Sequence, residues 1–282
     1  MLGALLIVFR EMIEAGLIVG IVLAATRGVA GRGLWVAGGV AAGVLGAAIL
    51  AVFAGGLASL FHGAGQELFN AAILIVAVGM LTWHNVWMAS HGKELSRELK
   101  AVGAEVARGS RSLLGMAVVV GVAVLREGSE VVLFLYGIAA TGGTSAIGML
   151  TGGALGVAAG AVLTFLMYRG LLAIPAHRFF AATTGLITLL AAGLGAQAAS
   201  YLQQAGVINI LTAPLWDSSA ILSESSMAGR LLKTIVGYTD RPDGLQLIAW
   251  LGIVAMMLVL MRVVNPKKPL AANAAAAVAP AE

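Results

Sequence analysis

Charges in the middle of a lipid-length apolar run leave a chain few ways to fold. Residues 2–25 form such a run, and Arg10-Glu11-Met12-Ile13-Glu14 lies at its centre. A bilayer crossing takes about 20 apolar residues, so the run is long enough to span. On insertion scales each charge there costs roughly 2.5–3.5 kcal/mol. The pattern returns as Arg126-Glu127-Gly128-Ser129-Glu130, 116 residues later and again inside an apolar run. At that cost the charges are not there by drift.

The rest of the chain agrees. It is 60% hydrophobic and 11% charged over 282 residues, where a soluble domain carries about 25% charged residues. The expected class is an all-α integral membrane protein. Seven transmembrane helices are expected, near 2–25, 34–58, 68–90, 113–136, 147–168, 179–200 and 244–263. The first carries no basic leader and holds the motif itself, so it is expected to stay in the mature protein. No cysteine is present, which removes disulfides and thiolate ligands. The net charge of +4 sits largely in short loops and is not a nucleic-acid footprint. No phosphate-binding loop and no nucleophile elbow occurs, so the chain does not read as an enzyme.

Basic residues set the orientation. With the N-terminus outside and the C-terminus cytoplasmic, twelve of the 17 fall inside and only Arg230, Lys233 and Arg241 outside. A second repeat signal accompanies the charged motif. Gly39–Gly43 reads G-V-A-A-G, and so does Gly156–Gly160, an offset of 117. The unit is thus three helices, an odd number, so the second copy enters the membrane inverted. Two inverted three-helix repeats plus one C-terminal helix, with polar residues at the midplane, is a transporter pattern. The expected divisions are 1–90 (first repeat), 91–112 (cytoplasmic connector), 113–200 (second repeat), 201–243 (extracytoplasmic segment), 244–263 (seventh helix) and 264–282 (disordered tail). Within the connector, Leu95, Leu99, Val102 and Val106 share one helical face; a solvated amphipathic helix is the expectation.

Glu11 and Glu14 are three residues apart and share a face, as do Glu127 and Glu130. Packing the two motif helices together brings four carboxylates to one place, and clustered oxygen ligands suit a hard cation. Arg10 and Arg126 each precede the second glutamate of their motif by four residues, close enough to pair with it. The formal sum of the six groups is −2, which a divalent ion neutralises. A plain ion-pair knot needs one acid per base, and here two acids are surplus. A proton relay along the carboxylates is a competing use.

The two R-E-x-x-E motifs, together with Trp216-Asp217-Ser218-Ser219, Ser223-Glu224-Ser225, Gly237-Tyr238, Pro242, Gln246, Glu67 and the stretch from Pro175 to Phe180, resemble the oxidase-dependent iron permeases. That family includes the fungal high-affinity iron permeases and the bacterial EfeU-type permeases. The resemblance covers nearly the whole chain and implies seven helices and high-affinity iron import. It also implies Glu11, Glu14, Glu127 and Glu130 as metal ligands, with Arg10 and Arg126 as supporting charges. Iron, as Fe2+ or Fe3+, is then the substrate, with no permanently bound cofactor. An extracytoplasmic oxidase or iron-binding protein is the implied partner besides membrane lipid. A bacterial inner membrane is the implied location. Many relatives have Gly-Leu where this chain has Met12-Ile13, which bears on how closely that helix approaches its neighbour.

Glu67, Asp217 and Glu224 are candidate inlet residues on the outer side. His84 sits near the inner end of the third helix, beside Trp83 and Asn85, where an exit ligand for the ion is one reading and an interfacial polar residue is the expectation. His62, His91 and His177 are assigned nothing. Met257 and Met261 are read as plain hydrophobes. The alternatives are a broader divalent-cation permease, for lead or manganese, and a structural membrane subunit whose charges only tie helices together.

Overall fold

The computed structural model describes residues 1–59, 65–141, 145–170 and 176–264. Eight helices and no strand are formed among them. They are α1 (Leu2–Ala25), α2 (Arg32–Ser59), α3 (Gln66–Ala107), α4 (Leu113–Ala140), α5 (Ala146–Tyr168), α6 (Ala176–Gln204), α7 (Met227–Val236) and α8 (Gly244–Val264). The tail and the side chains from Pro175 to Phe180 lie outside the described residues, as do His62 and the side chain of His177.

Among the described residues five helices are long and apolar enough to cross a membrane: α5, α8, and the stretches Arg32–Gly56 of α2, Gln66–Met88 of α3 and Thr183–Gln204 of α6. α1 and α4 are of similar length but each carries the three charges of its motif. The apolar faces are turned outward. α8 has a mean hydropathy of 2.5 over its span, with only 6% of it buried. Leu34, Phe53, Ile147, Leu150 and Val263 are likewise exposed. A soluble protein does not leave so much apolar surface bare.

Glycines govern the closest packing. α2 lies along α4, and α5 lies along α1, each pair running in the same direction. A Cβ added to Gly43 would sit 2.6 Å from the Gly121 carbonyl oxygen and 2.9 Å from the Leu125 nitrogen. One added to Gly156 would sit 2.8 Å from the Leu5 oxygen and 2.9 Å from the Phe9 nitrogen. Gly39 abuts Ala117, and Gly152 abuts Met1. Backbone meets backbone at these points, as small residues allow in lipid, where dispersion contacts rather than the hydrophobic effect hold helices together. The two G-V-A-A-G stretches therefore do equivalent jobs on different partners. Met12 finds its own glycine: its Cβ lies 2.7 Å from where a Gly160 Cβ would be. In the second motif the glycine is on the motif helix, and Gly128 faces Ala47 of α2.

Two features depart from expectation. α3 does not stop near residue 90 but continues unbroken to Ala107. The stretch 91–112 is helical through Ala107, yet it is neither a separate element nor solvated all round. Leu99 and Val106 are buried in a cluster with Ile18 and Val22 of α1, Val36 of α2 and Met116, Val120 and Val124 of α4. Gly103 of α3 rests on Ala25. The apolar face of this stretch is turned to the bundle because α1 and α4 reach far enough to cover it. The second departure is α7, a 10-residue helix inside 201–243. Ser226 caps its N-terminus by accepting from the Gly229 amide at 2.9 Å. Gly237 ends it in the left-handed conformation at φ 75° and packs on Gly193 of α6.

The segment around α7 is folded rather than loose. The Leu215 amide donates to the Pro242 carbonyl at 2.8 Å. The Tyr238 hydroxyl donates to the Leu222 carbonyl and meets the Ser218 hydroxyl, both at 2.7 Å. The Trp250 indole donates to the Val236 carbonyl at 2.7 Å and ties α8 to α7.

Candidate metal site in the helix bundle

α1, α3 and α4 meet in the interior, and the motif glutamates point into that junction. Glu11 and Glu14 are 2% and 3% exposed; Glu127 and Glu130 are each 5% exposed. The helical period explains this. Residues at i and i+3 share a stripe, and Ile7 and Phe134, buried one turn away on α1 and α4, continue the two stripes. All four carboxylates are thus buried at this junction.

The two arginines differ. Arg10 is buried, at 2% exposure. It donates to Glu11 at 2.6 Å, pairs with Glu14 at 2.8 Å, and reaches the Asn85 side-chain oxygen at 3.4 Å. The Arg126 side chain is 39% exposed and meets Glu130 only at 3.4 Å. Its guanidinium lies over the Trp87 ring, 4.5 Å from the centroid, a cation–π contact. Trp87 in turn stacks on His91. One motif thus buries its cation, whereas the other holds it at the rim.

His84, expected near the inner end of its span, is drawn into the junction. It is 2% exposed and stands between the motifs, with Nε2 3.0 Å from Glu14 and Nδ1 2.5 Å from Glu130. Asn85 beside it is also buried. A third span that ends near residue 90 places His84 at a boundary. In the 42-residue helix it lies near the middle. One signal was available: His84 and Asn85 are adjacent polar residues on an otherwise apolar span, where polar groups usually mark function.

Glu11, His84, Glu127 and Glu130 each offer a ligand atom, and these atoms all lie within 4.8 Å of one another. The set mixes hard oxygens with one imidazole nitrogen. Glu11 Oε2 and Glu127 Oε2 are buried without a hydrogen-bond partner. Unsatisfied buried carboxylate oxygens are costly, and a cation between them would satisfy both. The residues therefore fit a metal ion.

The candidate inlet residues are not brought to this cluster. Glu224 lines a separate cavity of about 800 Å³ at the α7 end of the bundle, with Lys233, Asp240 and Gln246. There its carboxylate is ion-paired with Lys233 and accepts from the Thr239 hydroxyl at 3.1 Å. Asp217 is exposed and pairs with Arg241 at 3.0 Å. Hydrogen bonds from the Ser219 hydroxyl and amide hold its carboxyl below the usual range, with Arg241 adding to the effect. Glu67 sits in the first turn of α3, where the helix dipole favours an anion. Ile138, Leu190 and Leu194 line the cavity and also belong to an apolar cluster with Ile7, Leu74, Leu81 and Phe134. Ile138 follows Glu130 by two helical turns, so apolar side chains separate cavity from carboxylates. Met257 is fully buried in that cluster and Met261 packs against it, which makes both hydrophobes as expected.

Comparison with known proteins identifies the site's context. Residues 1–268 match the Iron permease FTR1 family. The chain is 35% identical over 253 residues to a protein named Ferrous iron permease EfeU from Escherichia coli O6:H1 (strain CFT073), covering 87% of this chain and 89% of that one. It is 34% identical over 250 residues to proteins of that name from Escherichia coli O157:H7 and Shigella sonnei (strain Ss046), with the same coverage. No solved structure gives a significant match. The apolar helices and these relatives make the chain a multi-pass membrane protein, and a transporter rather than an enzyme. The chain belongs to the FTR1 iron permease family.

Proposed function

We propose that this protein imports iron and that the ion rests, in transit, among Glu11, Glu14, Glu127 and Glu130. The observation that carries the reading is the surplus of buried acid. Four carboxylates share two arginines, and among the described residues no ion pair reaches Glu127. A knot that only tied helices together would have no use for Glu127, since a buried charge without a partner destabilises. The relatives' name, with its ferrous ion, supports Fe2+ as the form that enters the site.

The architecture in this reading is seven spans: α1 to α6 and α8. α1–α3 and α4–α6 form the two inverted halves. The exchange of packing, α2 on α4 and α5 on α1, supports that symmetry, because it maps onto itself when the halves are swapped. The N-terminus and α7 face outward, and the C-terminus faces the cytoplasm of a bacterium across its inner membrane. The 800 Å³ cavity then opens on the outer side as a vestibule. An oxidase or iron-binding protein outside the membrane delivers the ion there. The membrane potential draws the cation inward with about 2.3 kcal/mol per charge per 100 mV.

Radioactive iron uptake into liposomes holding the purified protein tests this. Iron supplied as Fe2+ accumulates with the wild type. Glu11→Gln and Glu130→Gln each lower the initial rate by about 100-fold or more, since loss of even an outer-shell partner costs 10–100-fold in metal affinity. Both variants still insert and elute as folded protein. Wild-type flux in either variant would refute the site, and misfolding of both would favour the ion-pair knot.

A further inference from the structure

The four motif glutamates do not hold equivalent places. Glu14 is the one left out of the close group formed by Glu11, His84, Glu127 and Glu130. It lies instead between Arg10 and the far nitrogen of His84, at 2.8 Å and 3.0 Å. The other imidazole nitrogen, Nδ1, meets Glu130 at 2.5 Å. An imidazole with a carboxylate behind one nitrogen and a cluster of carboxylates before the other has the arrangement of metal-binding histidines, whose second nitrogen is held by a carboxylate.

We propose that His84 is the fourth ligand of the transported ion, through Nδ1, and that Glu14 is a positioning residue that orients the ring. This rests on the reading of the cluster as the iron site and refines its membership. On binding, the ion takes the place of the direct His84–Glu130 contact, and both groups turn their freed atoms to it. Glu14 stays on Nε2, and Arg10 holds Glu14. Asn85 anchors Arg10 in turn, at 3.4 Å. The adjacent residues His84 and Asn85 on α3 thereby lock both ends of the first motif.

The consequence is selectivity. Carboxylates alone suit Mg2+, Ca2+ and Mn2+, whereas an imidazole nitrogen adds preference for Fe2+ and the later transition metals. Three carboxylates and one imidazole make a site for a borderline divalent cation, and His84 is the residue that separates Fe2+ from the harder ions.

Mn2+ serves as the probe, because its electron spin reports a directly bound nitrogen. Purified protein loaded with Mn2+ is expected to show 14N coupling from a ligating imidazole in pulsed electron paramagnetic resonance. The chain holds four histidines, so a His62→Gln/His91→Gln/His177→Gln variant leaves only His84 and must keep the signal. His84→Gln must lose it. Glu14→Gln keeps the 14N coupling while Mn2+ affinity drops by about 10–100-fold. In liposomes His84→Gln narrows the preference for Fe2+ over Mn2+ by about tenfold, on the same scale. Bound Mn2+ without 14N coupling in the triple variant overturns the proposal, whatever becomes of His84→Gln. If Glu11→Gln still removes Mn2+ binding in that case, the carboxylate site stands and only the role of His84 falls. A wild type that binds no Mn2+ and takes up no Fe2+ overturns both.

Discussion

Glu127→Gln is expected to abolish iron uptake while leaving the empty protein at least as stable as the wild type. Glu127 is 5% exposed, carries an unpartnered Oε2, and shares its ligand group with Glu11 and Glu130. It therefore contributes repulsion and desolvation cost to the empty state and receives no ion pair in return. At these separations each like-charge contact removed relieves about 4 kcal/mol at an effective dielectric of about 20, before the offset from neighbouring cations. The amide preserves shape, so packing is not disturbed. Transport needs the charge, and flux should fall by about 100-fold or more. The two readouts move in opposite directions, which a structural role cannot produce. Thermal unfolding in detergent and iron uptake in liposomes, on the same preparation, decide it. A lower melting temperature with normal uptake would make Glu127 a structural residue.

Gly43→Leu and Gly156→Leu should each prevent assembly of the bundle. A side chain at either site would enter the backbone of the facing helix, with no flexible atom to yield. Overpacking of a side-chain core costs 1–3 kcal/mol, and a clash with backbone should reach about 3 kcal/mol or more. The helices would part, and with them the two motifs, because α2 seats α4 and α5 seats α1. Gly38→Leu is the control. It lies on the same helix as Gly43, but nothing stands within 4 Å of its added Cβ. It should express and elute as the wild type does. Size-exclusion profiles and melting temperatures of the three variants make the comparison. If Gly38→Leu failed equally, helix propensity or insertion, not close approach, would be responsible.

Much of this was legible beforehand because lipid constrains sequence strongly. Arg10, Glu11 and Glu14 stand out against the apolar run of α1, as do Arg126, Glu127 and Glu130 in α4. Their spacing alone places each glutamate pair on one face. The small-residue stripes at Gly39–Gly43 and Gly152–Gly160 likewise announce close contacts, although not with which helix. What stayed hidden depended on tertiary reach. His84 and Asn85 mark that stretch of α3 as polar, but a polar pair near the end of an apolar run fits an interface as well as a buried site. The burial of His84 follows from α1 and α4 extending past it, which no local pattern records. The same cause buries Leu99 and Val106, whose spacing alone fits a solvated amphipathic connector equally well. α7 escapes a reading for membrane spans for a different reason: its ten residues, with a strong polar face, lie below any spanning threshold. The inequality of Arg10 and Arg126 was equally invisible, because both sit in the same motif. Only the neighbours differ, Asn85 for one and Trp87 for the other.

The most direct test is to locate the metal itself. A structure of the purified protein loaded with Fe2+, with anomalous scattering recorded at the iron edge, should give its main peak among Glu11, Glu127, Glu130 and His84. Its height should collapse in Glu127→Gln. A main peak in the α7 cavity beside Glu224 and Asp240, with none among the buried carboxylates, would contradict the account.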